Sequence, residues 1–360
     1  MRTNVTRTIL EKNLKTAKVR FAKLALPGGC DLLVTEHWGK AFGPFRNDQD
    51  SGALWVSEKA ADPGALKAMV DNGDWCVGGD RLWLAPEVQF NIPDRSRWKD
   101  EGGYVLPKEI DPGRYTLSST KTCVTVGQEL TVGLANLAAG KKRLALQRSF
   151  RAAADPLAGF TRYRKMSEKV HFTGYSEETT VRDLSGGGAG LETWNLIQVR
   201  PGGIAIIPTT GAIDYQDYYA PIDGKHLKVK GSVVVLRLTG DRTFKIGLKS
   251  AGSWGRIGYC RETGGGTARL IVRNFFNSPS SAYIDEPIGK AGSSGDSVQV
   301  YNDDGRLGGF GEIEVHGLSV GGETGRKAST DPLDLWLYTG TPSEIRAVAR
   351  MLLGTDIVTW

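Results

Sequence analysis

The sequence predicts a mainly β fold, a large antiparallel sandwich of two β-sheets with a few short helices. The first observation is the 47 glycines among 360 residues, which with other turn residues divide the chain into segments of about ten residues. The second is the alternation of apolar and polar residues in several of these segments, which indicates strands with one buried face. Because no change in composition splits the chain, we expect one domain over residues 15–360, preceded by a basic N-terminal arm at residues 1–14.

The predicted strands are rich in β-branched and aromatic residues and are bounded by turn residues. They cover residues 18–26, 31–37, 53–57, 81–90, 121–126, 129–135, 142–150, 191–199, 203–208, 232–238, 243–249, 267–276, 311–318 and 334–338. So many short strands with so few helical segments between them favour a sandwich or barrel over a parallel sheet.

Two helices are predicted from their end signals. Asp62 and Pro63 are typical N-cap and first-turn residues, and they indicate a short helix through about residue 70. A second helix is predicted near residues 342–353, because Thr341 and Glu344 form a capping box with proline between them. Apolar residues then recur at helical spacing and a glycine follows.

The positive charge of the chain is concentrated at its N-terminus. The formal net charge is +6, and residues 1–23 contain seven basic residues and one acidic residue, which is the whole of that excess. A protein that binds a polyanion would carry a basic face over its body. We therefore expect no nucleic-acid partner.

The expected location is the cytoplasm, with no membrane partner. No run of 18 apolar residues could span a membrane, and the N-terminus lacks the apolar core of a secretory signal. The four cysteines are far apart without a CxxC pair, which suits a reducing compartment. Nothing in the sequence specifies an oligomeric state.

Common cofactor and metal motifs are absent from the sequence. There is no P-loop, no HExxH and no GxSxG, and the glycines at 186–190 lack the strand-to-helix context of a dinucleotide site. The four histidines are widely separated, so no local metal site is predicted, although distant strands could assemble one. We expect no cofactor and no metal.

The segment GEIEVHGL at 311–318 is the first candidate site. Read as a strand, it places Glu312, Glu314 and His316 on one face and Ile313 and Val315 on the other. Carboxylates beside an imidazole can accept and donate protons near neutral pH. The same pattern also fits an edge strand with one solvated polar face, so both interpretations stay open.

The run GGDRLWLAPEVQF at 78–90 is the second candidate. Arg81 offers five donors for hydroxyl or carboxylate oxygens, and tryptophan offers a flat surface that suits the C–H face of a sugar. The alternative is an internal ion pair, either Arg81 with Glu87 or Asp80 with Arg81.

Cations on two later strands form a third candidate. Lys245 and Lys249 share one face of a strand, and Arg269 and Arg273 share a face of another. Such repeated cations are either solvated or part of a binding surface.

Five segments of the chain resemble the galactose mutarotase-like, or aldose 1-epimerase-like, proteins over roughly residues 15–355. They are GGDRLWLAPE (78–87), DPGRY (111–115), TWNLIQV (193–199), GEIEVHG (311–317) and DLWLYTGTP (334–342). The resemblance implies a "supersandwich", a large two-sheet antiparallel β-domain whose concave sheet binds carbohydrate.

The resemblance also implies roles for individual residues. Arg81 corresponds to the sugar-binding arginine, and Glu314, with Glu312 as second choice, to the general base. The segment Glu192–Leu196 has threonine where the epimerases have their acid histidine, so His316 is our hypothesis for the acid. The predicted substrate-binding residues are Arg81, Glu87, Trp194, Lys249, Arg273 and Glu312.

Three functions remain in competition at this point. The first is an epimerase-like enzyme that acts on a sugar or a sugar acid by acid/base chemistry. The second is a carbohydrate-binding or sensing protein without catalysis, consistent with the missing histidine. The third is a structural or interaction protein in which these polar residues have no common role.

Overall fold

Two large antiparallel sheets dominate the computed structural model, which describes residues 4–186, 188–211 and 213–360. The strands, in chain order, are β1 (Phe21–Leu26), β2 (Cys30–Thr35), β3 (Ala41–Phe45), β4 (Asp80–Ala85), β5 (Thr116–Ser119), β6 (Val124–Leu134), β7 (Gly140–Ala152), β8 (His171–Asp183), β9 (Glu192–Val199), β10 (Gly203–Pro208), β11 (Tyr215–Asp217), β12 (Leu227–Lys230), β13 (Val233–Leu238), β14 (Phe244–Leu248), β15 (Arg256–Gly264), β16 (Thr267–Phe275), β17 (Val298–Asn302), β18 (Gly311–His316) and β19 (Ala328–Gly340). The predicted antiparallel two-sheet β-sandwich is confirmed.

The helices are few and mostly short. They are α1 (Arg7–Thr16), α2 (Pro63–Asn72), α3 (Glu87–Phe90), α4 (Thr161–Arg164) and α5 (Pro342–Leu353), with 3₁₀ turns at Pro27–Gly29, His37–Gly39, Glu58–Ala61, Arg95–Arg97, Ser250–Gly252 and Gly322–Thr324. Both predicted helices are confirmed: Asp62 caps α2, and the Thr341–Glu344 capping box begins α5.

The first sheet has nine strands in the order β1-β2-β3-β4-β9-β18-β17-β14-β11. The second has ten strands in the order β12-β13-β10-β15-β16-β19-β8-β7-β6-β5. Strand β18 therefore lies in the interior of the first sheet, between β9 and β17. This position excludes the edge-strand interpretation of the GEIEVHGL segment.

Apolar side chains from both sheets form the main core between them. Ile313 and Val315 of β18 belong to this core, as do Leu335 and Leu337 of β19 in the second sheet. A second apolar cluster lies on the other face of the second sheet, where α5 packs its buried residues against β10 and β16. The polar and aromatic residues that alternate with the core positions lie on the opposite face of the first sheet.

Several predicted strands differ from those in the structure. The largest difference is strand β8, and the polar side chains on its buried face explain why it was not predicted. Strand β8 was not predicted because its buried face includes Glu177, Thr179 and Asp183, so it shows no apolar alternation. The strand predicted at 81–90 ends at Ala85, and α3 follows it. The segment 53–57 forms only isolated bridges.

Most of helix α1 (Arg7–Thr16) lies within the segment predicted as a basic arm, residues 1–14. Leu10 and Leu14 of α1 are fully buried, and Asn13 donates to the carbonyl of Ala60 at 2.9 Å. Its basic side chains are partly neutralised, since Arg7 pairs with Glu11, Asp31 and Asp48. The helical spacing of its apolar residues indicates this helix, but the segment was interpreted from its positive charge.

A cluster of four charged side chains, Asp80, Arg148, Glu177 and Arg273, joins the two sheets. Arg148 contacts Asp80 at 2.7 Å and Glu177 at 2.8 Å, and Arg273 contacts the same two carboxylates at 2.9 and 3.1 Å. Asp80 comes from the first sheet and the other three from the second. We call this the buried ion cluster, because all four side chains are at most 1% exposed.

All four cysteines are free thiols; Cys30 and Cys260 are buried, and Cys76 and Cys123 are partly buried. Within the described ranges, no helix is both long enough and apolar enough to cross a membrane.

Replacing one member of the buried ion cluster should strongly destabilise the fold. Arg273→Met leaves Asp80 and Glu177 with one cation between them, and an uncompensated buried charge costs about 3–5 kcal/mol. We expect a loss of this size in the free energy of unfolding, measured by urea denaturation. Arg269→Met on the same strand is the control, because Arg269 is partly exposed, pairs with Asp50 and donates to the carbonyl of Gly52, so about 1 kcal/mol or less is expected. Equal losses in the two variants would contradict this account.

Candidate functional site

A cavity of about 380 Å³ lies on the face of the first sheet that points away from the core. We call it the inner cavity. Its lining residues are Trp75, Arg81, Trp83, Glu87, Tyr104, Trp194, Tyr219, Lys245, Tyr301, Leu307, Phe310, Glu312 and Glu314. Seven of these thirteen side chains are aromatic, so the cavity combines flat apolar walls with a small group of charges.

Alternation along β18 brings the two carboxylates into the inner cavity. Because Ile313 and Val315 face the core, Glu312 and Glu314 must face the cavity. The neighbouring strand β9 fixes both carboxylates: Gln198 donates to Glu312 at 3.0 Å, and the indole nitrogen of Trp194 donates to Glu314 at 3.0 Å. The two glutamates are therefore held in place before any ligand arrives.

Arg81 of β4 pairs with Glu312 at 2.5 Å, across the intervening strand β9. Its guanidinium also lies over the ring of Trp83, 3.8 Å from the centroid, and 4.8 Å from that of Trp75. The Arg81 atoms Nε and Nη1 are buried without a hydrogen-bond partner among the described residues. The alternative interpretation of this segment, an internal pair of Arg81 with Glu87 or Asp80, does not describe the structure, in which Arg81 pairs with Glu312.

Lys245 of β14 joins the other two glutamates. Its Nζ lies 3.1 Å from Glu314 and 3.7 Å from Glu87, and 4.4 Å from the centroid of the Trp194 ring. Burial alone would lower the pKa of Lys245, but the carboxylates of Glu314 and Glu87 outweigh it and raise the pKa above its usual value. Lys245 is therefore a fixed ammonium group and a poor proton donor.

Burial changes the protonation of two of the glutamates. It raises the pKa of Glu312 to about 7, with Arg81 opposing the shift and Glu314 adding to it. Burial also raises the pKa of Glu87, partly offset by Lys245. The cavity can thus hold a proton on Glu312 near neutral pH.

The tyrosines of the cavity act as neutral groups. Burial and the nearby Glu87 raise the pKa of Tyr104 and of Tyr219 well above the usual value, so both hydroxyls stay protonated. They can donate or accept hydrogen bonds with a polar ligand.

The inner cavity contains five of the eight predicted site residues. They are Arg81, Glu87, Trp194, Glu312 and Glu314. His316, Lys249 and Arg273 lie elsewhere.

His316 lies behind the cavity wall and not in it. Its fully buried ring stacks on Trp194 with centroids 5.7 Å apart, and its nitrogens lie 3.4 Å from Glu192 and 3.8 Å from Asp285. Burial lowers the pKa of His316, but these two carboxylates outweigh it and raise the pKa overall. This placement corrects the prediction that His316 is the acid, because Trp194 separates it from the cavity.

The other two corrections concern cations that pair within the fold. Arg273 belongs to the buried ion cluster between the sheets. Lys249 follows the end of β14 and pairs with Asp296 at 2.9 Å. Both were predicted from charge repeated along a strand, a pattern that does not reveal the partner of each cation.

Sequence reasoning missed the role of Lys245 and most of the aromatic wall. The signal for Lys245 was its position between Phe244 and Ile246, which both face the core. Because side chains alternate along a strand, a lysine between two core positions must lie on the face of the sheet that is opposite to the core. The aromatic residues come from separate loops and strands, so nothing in their local sequence groups them.

Among the described residues, no three His, Cys, Asp or Glu side chains are arranged to hold a metal ion. Glu312 and Glu314 are paired instead with Arg81 and Lys245.

Solved structures share this architecture. A putative aldose 1-epimerase from Escherichia coli K12 has a TM-score of 0.52 at 10% identity, over 89% of this chain and 99% of that chain. A galactose mutarotase-like protein from Lactobacillus casei has a TM-score of 0.45 at 9% identity, over 88% and 100% of the two chains. The Escherichia coli similarity shows that the fold is galactose mutarotase-like, as the sequence resemblance implied.

No curated protein matches the chain in sequence. Residues 41–359 match the model of a family of unknown function, DUF6786. Because this match covers most of the chain, the protein belongs to the DUF6786 family.

Proposed function

We propose that the inner cavity binds a neutral sugar and interconverts its anomers by acid/base chemistry. The observation that supports this best is the pair Glu312 and Glu314, side by side on β18 within an aromatic-walled cavity. Residues two apart on a strand are separated by roughly 7 Å. Two carboxyl groups at that separation can contact opposite sides of one pyranose ring.

The two glutamates have different roles in the proposed reaction. The Glu314 carboxylate removes the proton of the anomeric hydroxyl, while protonated Glu312 gives its proton to the ring oxygen. The bond between C1 and the ring oxygen breaks, and an open-chain aldehyde forms. Reclosure on the other face of the aldehyde, with both protons returned, gives the other anomer.

Both glutamates have hydrogen-bond donors beside them. Arg81 and Gln198 contact Glu312, while Lys245 and Trp194 contact Glu314. The donors on Glu312 lower its pKa, but burial and the neighbouring Glu314 outweigh them and raise that pKa to about 7, which supports Glu312 as the proton donor.

The charge of the cavity favours a neutral sugar over a sugar acid. Three glutamates face two cations, Arg81 and Lys245, and both cations already have carboxylate partners. Two further cations that were predicted to bind substrate, Lys249 and Arg273, lie outside the inner cavity and pair elsewhere. The carboxylate of a sugar acid would therefore find both cations of the inner cavity already paired.

The shared fold with a structure described as a putative aldose 1-epimerase also supports a carbohydrate ligand. We further propose a cytoplasmic location, since the four thiols are free.

A carbohydrate-binding protein without turnover is the second candidate. It is favoured by the histidines, since none of the four lines the inner cavity. A site with bound sugar but no proton donor would recognise the sugar and leave its anomers unchanged.

Replacing the proposed base should abolish catalysis. With glucose, galactose and mannose as a panel, saturation-transfer NMR detects binding, and exchange between the anomers is followed in the same samples. We expect Glu314→Gln to lower the catalysed exchange rate by about 100-fold or more, because general base catalysis contributes at least that factor.

The matched control is Glu178→Gln, which changes an exposed carboxylate on β8 of the second sheet and should leave exchange unaffected. Binding without exchange in the wild type would select the second candidate. Absence of binding by every sugar would contradict both.

The stability effect of Glu312 should depend on pH. The pKa of Glu312 in the folded state, about 7, lies above the ordinary value of 4.5. Between pH 4.5 and pH 7 the folded state therefore binds a proton at Glu312 that the unfolded state has lost. The contribution of Glu312 to the free energy of unfolding therefore falls as pH rises from 4.5 to 7, by up to about 3 kcal/mol.

The variant Glu312→Gln does not titrate at this position, so it provides the reference. As the pH rises from 5 to 8, the free energy of unfolding of the wild type, measured by urea denaturation, should fall relative to that of the variant. A difference that stays constant or shifts in favour of the wild type would show that Glu312 does not hold the proton.

A further inference from the structure

A second cavity, of about 560 Å³, adjoins the inner cavity on its outer side. The two cavities have four lining residues in common, Tyr104, Tyr219, Tyr301 and Leu307. We call the second one the outer cavity; its remaining walls come mainly from Trp98, Lys99, Thr243 and Asp304. A ligand that fills the inner cavity can therefore continue past these shared side chains.

The wall of the outer cavity has an aromatic platform of its own. Trp98 stacks on Tyr219 with ring centroids 5.7 Å apart and an angle of 27° between the planes. The ammonium of Lys99 lies 5.2 Å from the centroid of the Trp98 ring. Polar groups of Thr243 and Asp304 lie in the same cavity, so a flat surface is combined with hydrogen-bonding groups, as in the inner cavity.

The segment that carries Trp98 is held in place. Arg95 donates to the carbonyls of Ile288 at 2.6 Å and Pro287 at 2.8 Å, and it pairs with Glu286. Trp98 follows directly after the 3₁₀ turn that contains Arg95. The platform is therefore fixed before a ligand binds, which reduces the entropy lost on binding.

The loop on the other side is also fixed. The buried carboxylate of Asp303 accepts from the backbone N–H groups of Gly305 at 3.0 Å, Leu307 at 3.2 Å and Gly309 at 2.8 Å. This loop presents Leu307 to both cavities. Both walls of the passage between the cavities are thus preorganised.

We propose that the ligand spans both cavities and is a di- or oligosaccharide, with its reducing-end unit in the inner cavity and the next unit stacked on Trp98. This inference rests on the proposed function. Ligand sites in proteins range over about 300–1,000 Å³, and the inner cavity alone is near the lower limit, with room for one sugar ring. The outer cavity repeats the combination of aromatic face and polar groups that a second sugar unit requires.

The test compares monosaccharides with disaccharides that carry them at the reducing end. Glucose is compared with maltose and cellobiose, galactose with galactobiose, and mannose with mannobiose, by isothermal titration calorimetry. For the pair that fits, we expect the disaccharide to bind at least tenfold more tightly. Trp98→Ala should remove most of this advantage and change the affinity for the monosaccharide less than twofold, while Trp98→Phe should restore part of it.

Trp254→Ala is the matched control, because Trp254 is a 66% exposed tryptophan outside both cavities. It should leave the affinities for both sugars unchanged. If a monosaccharide binds but no disaccharide binds more tightly, or if Trp98→Ala weakens both equally, the extended ligand is excluded while the sugar site stands. If no sugar of either length binds, the proposed function fails and this inference fails with it.

Discussion

Asp80 and Arg81 are neighbours on β4, and they point to opposite faces of the first sheet. Asp80 binds Arg148 and Arg273 of the second sheet, while Arg81 enters the inner cavity and binds Glu312 there. A shift of β4 by one residue would place Arg81 between the sheets and Asp80 in the cavity. The buried ion cluster therefore fixes the register of β4, and through it the position of the cation on which the site depends.

The same alternation positions the rest of the site. Ile313 and Val315 of β18 and Phe244 and Ile246 of β14 lie in the core between the sheets. Their neighbours Glu312, Glu314 and Lys245 must then share the cavity face. The core thus supplies both the stability of the sandwich and the placement of three ionisable groups that would be unfavourable alone, but that have partners in the cavity: Glu312 pairs with Arg81, and Glu314 with Lys245.

A structural feature was predictable when the residues that determine it lie close together in the sequence. The capping box of α5 and the alternation in GEIEVHGL are local, and both gave correct structural predictions. Strand β8 and the true place of Arg273 could not be predicted, because their explanation is a set of ion pairs between residues far apart in sequence. His316 was placed on the correct face of β18, but nothing local showed that Trp194 would cover it. The sequence therefore predicts the face of a strand on which a side chain lies. It does not predict which other side chains pack over it.

A crystal structure with a bound neutral sugar would test the central claim most directly. The account predicts a pyranose ring in the inner cavity, against the face of an aromatic side chain, with its anomeric hydroxyl within hydrogen-bonding distance of Glu314 and its ring oxygen near Glu312. A sugar bound with its anomeric centre directed away from both glutamates would contradict the acid/base assignment. A sugar found only outside the cavity would contradict the site itself.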